Sequence, residues 1–330
     1  MILAPNNILR KGKLLAALTL LTASNLFAQE FNVPVATQYL ADNPFVLSPT
    51  YAGIGDNIRI RVNGFSQWVG IKDAPQNQAI YADFRVFEQS GLGISLYNDK
   101  NGYTRQTGGK LTFAHHIILD YPSRQYLSFG LSYNLNNFRI ETDKIKTFDS
   151  KILNDRYTAN DNFDVGLLYR NKEFWVNFNA SNLLNKDIKN YFKEEPNLLR
   201  FYQVYTGYTY KSYRDSKLEI EPSAYFQHFE SDGRSFLDLN AKFRYLDNQR
   251  TGYFWLGATY RMLIDQPFKP LTVGPMVGLK KGGFYAGYAY QITTNELSSY
   301  NSGTHMITLG WDFFQGLSNC PCTQSSLAVD

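Results

Sequence analysis

Large apolar residues alternate strictly with small or polar residues along most of this chain. In the clearest stretch, residues 127–135, Leu, Phe, Leu, Tyr and Leu occupy every second position, with Ser, Gly, Ser and Asn between them. Successive side chains of a β-strand point to opposite faces, so a period of two indicates a strand with one apolar and one polar face. The alternation therefore predicts a chain built mainly of β-strands.

About fourteen segments of this kind follow one another. The predicted strands cover residues 57–66, 78–86, 91–98, 104–118, 124–136, 162–170, 173–182, 198–211, 217–229, 234–245, 251–262, 270–280, 283–293 and 304–314. Residues 143–156 are expected to form a short helix or a folded loop. So many strands predict an all-β fold, which is either a soluble sandwich or a membrane barrel.

The lengths of the connections favour the barrel. Connections after even-numbered strands are short, such as residues 88–90, and those after odd-numbered strands are usually longer, such as residues 137–161. Outer-membrane barrels have short periplasmic turns and longer extracellular loops. We therefore predict a transmembrane antiparallel β-barrel of about fourteen strands, with short periplasmic turns, long extracellular loops and both termini on the periplasmic side.

The composition agrees with this fold. The 330 residues include 24 Tyr, 24 Phe and 4 Trp, too many for a disordered chain. The mean hydropathy of −0.34 excludes a protein with several membrane-spanning helices. The polar faces are rich in Gly, Ser, Asn and Thr, which predicts an interior with few charges. Aromatic residues near strand ends predict girdles at the lipid–water interfaces. The examples are Trp68, Tyr97, Tyr169, Tyr210, Tyr253, Tyr290 and Trp311.

The N-terminus has the pattern of an export signal. Basic residues at positions 10–13 precede the apolar stretch 14–21, and a small-residue cleavage site ends at Ala28. The leader contains three of the 33 basic residues and none of the 29 acidic residues, so the remaining chain is nearly neutral. This balance leaves no basic stripe, and we expect no nucleic-acid partner.

The predicted organisation has four parts. They are a signal peptide at 1–28, an N-terminal periplasmic or plug-like segment at 29–56, an outer-membrane barrel at 57–314 and a C-terminal periplasmic tail at 315–330. Cys320 and Cys322 lie in this tail. In the periplasm the two thiols could oxidise to a disulfide with each other. Because that disulfide would close a small ring, pairing with another chain and a reduced state are also open.

Motifs at both ends of the predicted barrel carry a family resemblance. They are Gln38-Tyr39-Leu40-Ala41-Asp42-Asn43-Pro44-Phe45, Ser48-Pro49-Thr50-Tyr51-Ala52-Gly53, Gln67-Trp68-Val69-Gly70-Ile71-Lys72-Asp73-Ala74-Pro75, the stretch 91–102, Gly287-Tyr288-Ala289-Tyr290, Leu297, Gly303 and His305. This order resembles the PorP/SprF family of Bacteroidetes outer-membrane proteins over nearly the whole mature chain. The chain departs from the family pattern in having Ser48 and Thr50 for Asn and Ala, Ser66 for Arg, and Met306 for an acidic residue.

The resemblance implies a component or accessory of the type IX secretion system. Such a protein serves export or surface retention of secreted proteins, including gliding adhesins, and binds the C-terminal sorting domain of its partner. The implied protein is non-enzymatic, needs no cofactor or metal, is surrounded by outer-membrane lipid and contacts other type IX or periplasmic components. The candidate motif or partner-binding residues are Tyr39, Asn43, Pro44, Pro49, Tyr51, Gly53, Gln67, Trp68, Ala74, Pro75, Tyr290 and His305.

Several of these residues have alternative structural interpretations. Prolines at 44 and 49 favour extended conformations in the residues before them and, with Gly53, shape the segment ahead of the first strand. That segment could plug the lumen, line the periplasmic mouth or simply lead into the strand. The stretch 67–75 could enter the lumen, meet a partner or form a rigid turn beside a girdle Trp.

Two other functions are compatible with a barrel. A diffusive porin or hydrophobic-solute channel is the main alternative, because fourteen strands lie between small filled barrels and open 16-stranded porins. An outer-membrane lipase would need a Ser and a His in contact, and Ser128 or Ser132 could approach His115 or His116. No motif supports a lipase, and we predict that the protein is not an enzyme.

Overall fold

A computed structural model describes residues 37–55, 57–141, 156–184, 200–211, 217–230, 233–248, 252–266, 268–294, 296–314 and 320–323. The predicted signal peptide lies outside the described residues. The predicted helix or loop at 143–156 also lies outside them, except for its last residue, which begins a strand. Within the described ranges, no helix is long and apolar enough to cross a membrane.

The described residues form fifteen β-strands in one antiparallel sheet. These are β1 Asn57–Ser66, β2 Gln76–Phe87, β3 Ser90–Asn101, β4 Thr104–Asp120, β5 Gln125–Ile140, β6 Arg156–Asn171, β7 Phe174–Ser181, β8 Phe201–Tyr208, β9 Tyr210–Lys211, β10 Leu218–Phe229, β11 Ser235–Leu246, β12 Tyr253–Leu263, β13 Lys269–Lys281, β14 Phe284–Thr293 and β15 Thr304–Phe314. β8 and β9 both pair with β10 and are two parts of one strand interrupted at Thr209. The barrel therefore has fourteen strands, as predicted.

The sheet closes on itself between its first and last strands. β1 pairs with β2 on one side and with β15 on the other, with Ile58 opposite Phe313 and Ser66 opposite His305. The remaining strands pair with their neighbours in chain order. Closure removes the free edges of the sheet, so backbone polar groups are satisfied within the barrel, as a lipid environment requires.

The alternation places apolar side chains outside and small polar side chains inside. On β5, Phe129, Leu131 and Leu135 are 47%, 47% and 52% exposed, whereas Ser128 and Ser132 on the opposite face are buried. The exposed apolar side chains form the lipid-facing surface of a transmembrane barrel. The faces predicted from the sequence are confirmed.

The ends of the barrel differ as predicted. Turns at the periplasmic end are short, as at 88–89 and 172–173, and connections at the extracellular end are longer, as at 67–75 and 294–303. One extracellular connection, residues 102–103, is a tight turn of two residues. Its first residue is a glycine with φ of +61°, a conformation that this turn requires.

The barrel interior is more highly charged than predicted. Glu219 and Glu221 on β10 lie opposite Arg244 and Lys242 on β11. Nη1 of Arg244 lies 2.6 Å from Glu219, and Nη2 lies 3.2 Å from Glu221. These residues occupy every second position and so face the lumen together, where pairing offsets part of the cost of burying their charges. The prediction of a weakly charged interior was wrong at this wall.

Two of the predicted girdle residues instead point into the barrel. Tyr97 lines an interior cavity, and the hydroxyl of Tyr253 donates a hydrogen bond to Asp42 inside the lumen. Tyr97 shares the inward face of β3 with Ser95, two positions before it. A place near the end of a strand does not decide whether an aromatic residue faces lipid. Successive side chains point to opposite faces of the sheet, so only every second position faces outward.

Candidate functional site

Residues 37–55, here called the lumen segment, lie inside the barrel. They form three single-turn 3-10 helices, Gln38–Leu40, Pro44–Val46 and Pro49–Tyr51. Tyr39, Thr50 and Ala52 are each at most 2% exposed, although none of them belongs to a strand. The segment is buried because its side chains pack against the polar inner face of the barrel wall.

Prolines set the local conformation of the lumen segment. Pro44 and Pro49 each stand at the first position of a 3-10 helix, where the missing N–H and the fixed φ are tolerated. Ser48 is extended, as expected before proline, and its Oγ accepts from the amide of Thr50 at 3.4 Å. Asn43 departs from that expectation, with φ of −133° and ψ of 57°.

Tyr39 joins the start of the lumen segment to β10 and β11. Its hydroxyl donates to Oδ2 of Asp238 at 3.0 Å and accepts from Nδ2 of Asn240 at 3.3 Å. Its ring packs against those of Tyr205 and Tyr225, with centroid distances of 5.2 and 5.1 Å. The hydroxyl of this buried tyrosine is therefore fully hydrogen-bonded, and its ring is packed against two other aromatic rings.

Asp42 provides the second attachment, through charge. Its carboxylate accepts from Lys242 and Tyr253, and Nη2 of Arg244 lies 3.8 Å away. Lys242 also donates to the carbonyl of Leu40 at 3.0 Å. Burial by itself raises the pKa of Asp42, but the two cations outweigh it and hold this pKa below its usual range. Asp42 is therefore ionised and paired inside the lumen.

The later residues of the lumen segment are held by β7 and β4. Nδ2 of Asn177 donates to Oγ of Ser48 at 3.1 Å and to Oγ1 of Thr50 at 2.8 Å. Nε2 of His116 donates to the carbonyl of Ala52 at 3.0 Å, and its Nδ1 accepts from Ser128 at 2.8 Å. The contact between Ser128 and His116 that the sequence allowed therefore exists, but both side chains are fully buried and both ring nitrogens are engaged with the protein.

Gly53 and Gly91 allow a close approach between the backbone of the segment and the backbone of the wall. The amide of Gly53, at φ of +76°, donates to Oδ2 of Asp83 at 3.0 Å. A Cβ atom at Gly91 would lie 2.3 Å from the carbonyl oxygen of Ala52. Arg59 strengthens this contact by donating to Asp83 at 2.6 Å. The backbone of the segment thus lies directly on the backbone of β3.

The remaining candidates in the segment also lie within the lumen, where all except the half-buried Pro44 are buried. Asn43 is 3% exposed. Pro44 and Tyr51 line a cavity with about 600 Å³ of empty space, together with Arg170 and Trp175. Pro49 packs against β5. The structure therefore gathers the first six candidates into one buried element.

The other candidates lie at the extracellular end. The amide of Gln67 donates to the carbonyl of Pro75 at 2.9 Å, which closes the first loop at its base. The amide of Ala74 donates to Ile71 at 3.4 Å. Trp68 adopts φ of +50°, an uncommon conformation for a large side chain. The stretch 67–75 is thus a compact loop that is closed by backbone hydrogen bonds between its own residues.

The first and last extracellular loops meet. The amide of Val69 donates to the carbonyl of Gly303 at 3.0 Å, and the amide of Ser302 donates back to Val69 at 2.7 Å. On β15, Nδ1 of His305 lies 2.7 Å from the hydroxyl of Tyr288, and its ring centroid is 4.9 Å from that of Tyr290. We call residues 67–75, 288–290 and 302–305 the rim cluster. The two ends of the motif converge there because β1 pairs with β15.

Residues 320–323 of the C-terminal tail pack against the lumen segment at the periplasmic end. Cys320 and Cys322 form a disulfide with each other, which selects one of the three states that the sequence left open. The amide of Gly55 donates to the carbonyl of Thr323 at 2.6 Å, and Arg85 donates to its Oγ1 at 2.9 Å. The carbonyl of Cys322 accepts from Arg170.

The wall residues that hold the lumen segment could not be predicted from the motif alone. Asp238, Lys242, Arg244 and His116 all lie far along the chain from the motif that they contact. A detectable signal was present, because charged residues at alternate positions of neighbouring strands share the inward face. In the described ranges, no group of three His, Cys, Asp or Glu side chains could hold a metal ion.

A closed antiparallel sheet with an apolar outer face and a filled polar interior defines an outer-membrane β-barrel. Residues 28–311 match the family described as type IX secretion system membrane protein PorP/SprF. The chain belongs to this family. It is therefore an outer-membrane barrel of the type IX secretion system, and the resemblance noted in its motifs is confirmed.

Solved structures show similar barrels at low sequence identity. The CymD monoaromatic hydrocarbon channel is 10% identical, with 83% of this chain and 93% of that chain covered and a TM-score of 0.49. BamA from Haemophilus ducreyi is 9% identical, with coverages of 78% and 70% and a TM-score of 0.42. Outer membrane phospholipase A from Escherichia coli is 12% identical, with coverages of 77% and 92% and a TM-score of 0.35. No curated protein matches the chain.

Proposed function

We propose that this barrel is a non-enzymatic component of type IX secretion that binds the C-terminal sorting domain of a secreted protein. Binding serves export of that protein or its anchoring at the cell surface, as for a gliding adhesin. The mechanism is docking without bond chemistry. The observation that carries the proposal is the occupied lumen, because a filled barrel is suited to presenting a rigid binding surface.

The lumen segment crosses the barrel interior, and this argues against a diffusive channel. Asp42 is paired with Lys242 on β11, whereas Ala52 is bonded to His116 on β4. These two strands stand nearly opposite each other in the closed strand order. The segment therefore crosses the lumen, and its polar side chains contact the wall on both sides. A crossing segment held by a buried ion pair narrows the path that a solute could take.

The rim cluster is the docking surface that we propose for the sorting domain. It assembles motif residues from both ends of the chain at the extracellular mouth, and Trp68, Tyr290 and His305 are all partly exposed there. Partly exposed aromatic residues next to polar side chains are typical of the residues that dominate binding energy in interfaces. The backbone hydrogen bonds between Val69, Ser302 and Gly303 hold the two loops in one arrangement.

We place contacts with other type IX or periplasmic components at the periplasmic end of the barrel. The disulfide-linked turn around Cys322 is packed beneath the lumen segment at the periplasmic mouth. The His116–Ser128 pair offers no catalytic site, since burial withholds both side chains from any substrate.

Gene deletion with complementation tests the proposed function. Deletion should reduce the amount of a sorting-domain protein on the cell surface, and the intact gene should restore it. Complementation with Trp68→Ala should restore less surface protein than complementation with Trp311→Ala, whose side chain lies on the lipid-facing surface. The proposal is wrong if deletion leaves all sorting-domain proteins at the surface and changes only the uptake of small solutes.

A further inference from the structure

A polar cavity lies between the lumen segment and the extracellular end of the barrel. Its volume is about 970 Å³ when space open to solvent is counted, and it is bounded by the inner faces of β2 to β8 and by Phe45, Leu47 and Pro49 of the lumen segment. The cavity is separate from the rim cluster, which lies where β1 meets β15. Some family-motif residues, such as Phe45, Pro49 and Tyr97, border the cavity, but the proposed docking of a sorting domain does not use its wall.

Strand register lines up carboxamide side chains across this wall. Asn134 on β5 lies opposite Lys110 on β4 and Asn162 on β6. One step nearer the extracellular end, Asn136 lies opposite Asn160. All of these side chains line the cavity. A carboxamide both donates and accepts hydrogen bonds, so the wall presents rows of neutral groups with both capacities.

Two of these carboxamides have an acceptor that the protein leaves unused. Asn134 and Asn136 are each 6% exposed, and no donor among the described residues reaches the Oδ1 atom of either. Nδ2 of Asn136 is already engaged, since it donates to Gln106 at 3.3 Å. A buried acceptor without a donor is unfavourable and calls for an explanation. A ligand that donates hydrogen bonds from hydroxyl groups would satisfy both oxygens.

Aromatic rings lie beside the carboxamides. Tyr97 packs over Gly108, where a Cβ atom would lie 2.5 Å from the tyrosine hydroxyl, so glycine makes room for the ring. Tyr81 and Phe45 line the same cavity, with ring centroids 6.4 Å apart at an interplanar angle of 86°. The flat face of an aromatic ring suits the C–H face of a pyranose, whose hydroxyls project outward toward polar groups.

The described residues that line the cavity carry no unpaired charge. Among its described lining residues only Lys110 and Asp164 are charged, and Nζ of Lys110 lies 2.8 Å from Oδ2 of Asp164. The other oxygen of Asp164 accepts from the amide of Asn182 at 3.0 Å. A phosphate or carboxylate ligand would find no free cation among these residues. The wall therefore favours an uncharged ligand with many hydroxyl groups.

We propose that this cavity is a binding site for a neutral saccharide that enters from the extracellular end. The carboxamides of Asn134 and Asn136 bind sugar hydroxyls, and Tyr97 stacks on a sugar ring. An extended peptide fits this wall less well, because the closed barrel offers no free strand edge to which a peptide could add. The site does not depend on docking of a sorting domain, so either proposal can fail without the other.

Binding to immobilised and free glycans tests this site. The full chain, purified in detergent micelles, is applied to an array of neutral and sialylated oligosaccharides together with unglycosylated peptides rich in Asn and Ser. The best neutral oligosaccharide is then titrated by calorimetry. We expect at least a tenfold rise in Kd for Asn136→Leu and Tyr97→Ala, and a Kd within about twofold of wild type for Tyr97→Phe.

A matched control variant distinguishes loss of binding at this site from a general disturbance of the barrel interior. Asn63 on β1 is also buried with an unpartnered carboxamide but does not line the cavity, so Asn63→Leu should leave Kd unchanged. Folding of each variant is checked by its heat-dependent shift on an electrophoresis gel. The proposal is overturned if no neutral oligosaccharide binds, if sialylated glycans or the peptides bind better, or if folded Asn136→Leu and Tyr97→Ala proteins retain the wild-type Kd.

Discussion

The hydroxyl of Tyr39 donates a hydrogen bond to Oδ2 of Asp238 at 3.0 Å, across 199 positions of the chain. Asp238 is itself held by Arg261, whose Nε and Nη2 lie 2.6 and 2.7 Å from its two oxygens. A family-motif residue ahead of the first strand is therefore tied to a charged pair on β11 and β12. The position of the lumen segment depends on wall residues that are fixed only after the barrel has formed.

The pair between Asp42 and Lys242 should control how firmly the lumen segment is held. Asp42→Asn leaves Lys242 buried without its partner, and loss of one member of a buried pair costs about 3 kcal/mol. We expect amide hydrogen exchange of residues 37–55 to accelerate on the order of 100-fold, while exchange in the strands is unchanged. Mass spectrometry of the exchanged peptides measures both.

Asp99→Asn is the matched control for this variant. Asp99 is a buried carboxylate on the inner face of β3 whose hydrogen bond comes from Asn77 rather than from the lumen segment. Its substitution should leave exchange of residues 37–55 at the wild-type rate. Equal rates in Asp42→Asn and wild type would show that the ion pair does not hold the segment.

Because Asp42 pairs with Lys242, we expect the lumen segment to stay in place in mild acid. The folded-state pKa of Asp42 lies below its ordinary value of 3.8, so the stability that this group contributes is fully present above that value. It is lost only as the pH falls toward the lowered pKa. Planar-bilayer conductance of the barrel should therefore be the same at pH 7 and pH 5. An increase in conductance between these values would contradict the assignment of Asp42 as the group that retains the segment.

The close contact at Gly91 should tolerate no side chain. A Cβ atom there would lie 2.3 Å from the carbonyl of Ala52, whereas one at Gly64 on β1 would meet nothing within 4 Å. Gly91→Ala should destabilise the folded barrel or its segment by about 1–3 kcal/mol, and Gly64→Ala should have little effect. Thermal unfolding followed by circular dichroism compares the two variants, and equal midpoints would count against the contact.

Removal of the lumen segment should open the barrel. Because residues 37–55 cross the lumen between β11 and β4, the intact protein should show little steady conductance in planar bilayers. Deletion of these residues should produce a stable conducting state in protein that still shows the gel shift of a folded barrel. Steady conductance of the intact protein at the level of the deletion would instead support the diffusive channel.

The rim cluster should contribute to partner retention. Trp68→Ala and His305→Ala should each weaken binding of the sorting domain by about 2 kcal/mol, because aromatic residues in interfaces often contribute that much. Trp311→Ala and His228→Ala are the matched controls, since Trp311 faces lipid and His228 lies on β10 away from the rim cluster. The amount of sorting-domain protein retained on cells that carry each variant measures the effect. Equal retention by all four variants would exclude the rim cluster.

Most of the barrel could be predicted from local patterns. The period of two places Phe129 and Ser128 on opposite faces wherever the strand lies, and short connections such as 88–89 join neighbouring antiparallel strands. Motif residues also identified the family, which the match over residues 28–311 confirms. The inward direction of Tyr97 and Tyr253 does not follow from their place near strand ends. It depends on whether each residue occupies an odd or an even position of its strand, because alternate positions face opposite sides.

The sequence alone determined the strands, their two faces and the family motif, because these depend on residues close together in the chain. Only the tertiary structure decided that the motif divides, with Tyr39 and Asp42 inside the lumen and Trp68 at the rim beside Gly303. The reason is physical: Asp42 meets Lys242, and Val69 meets Gly303, only when the sheet closes in one register. Barrel closure brings together groups some 200 or more positions apart, and no local pattern encodes which of them will meet.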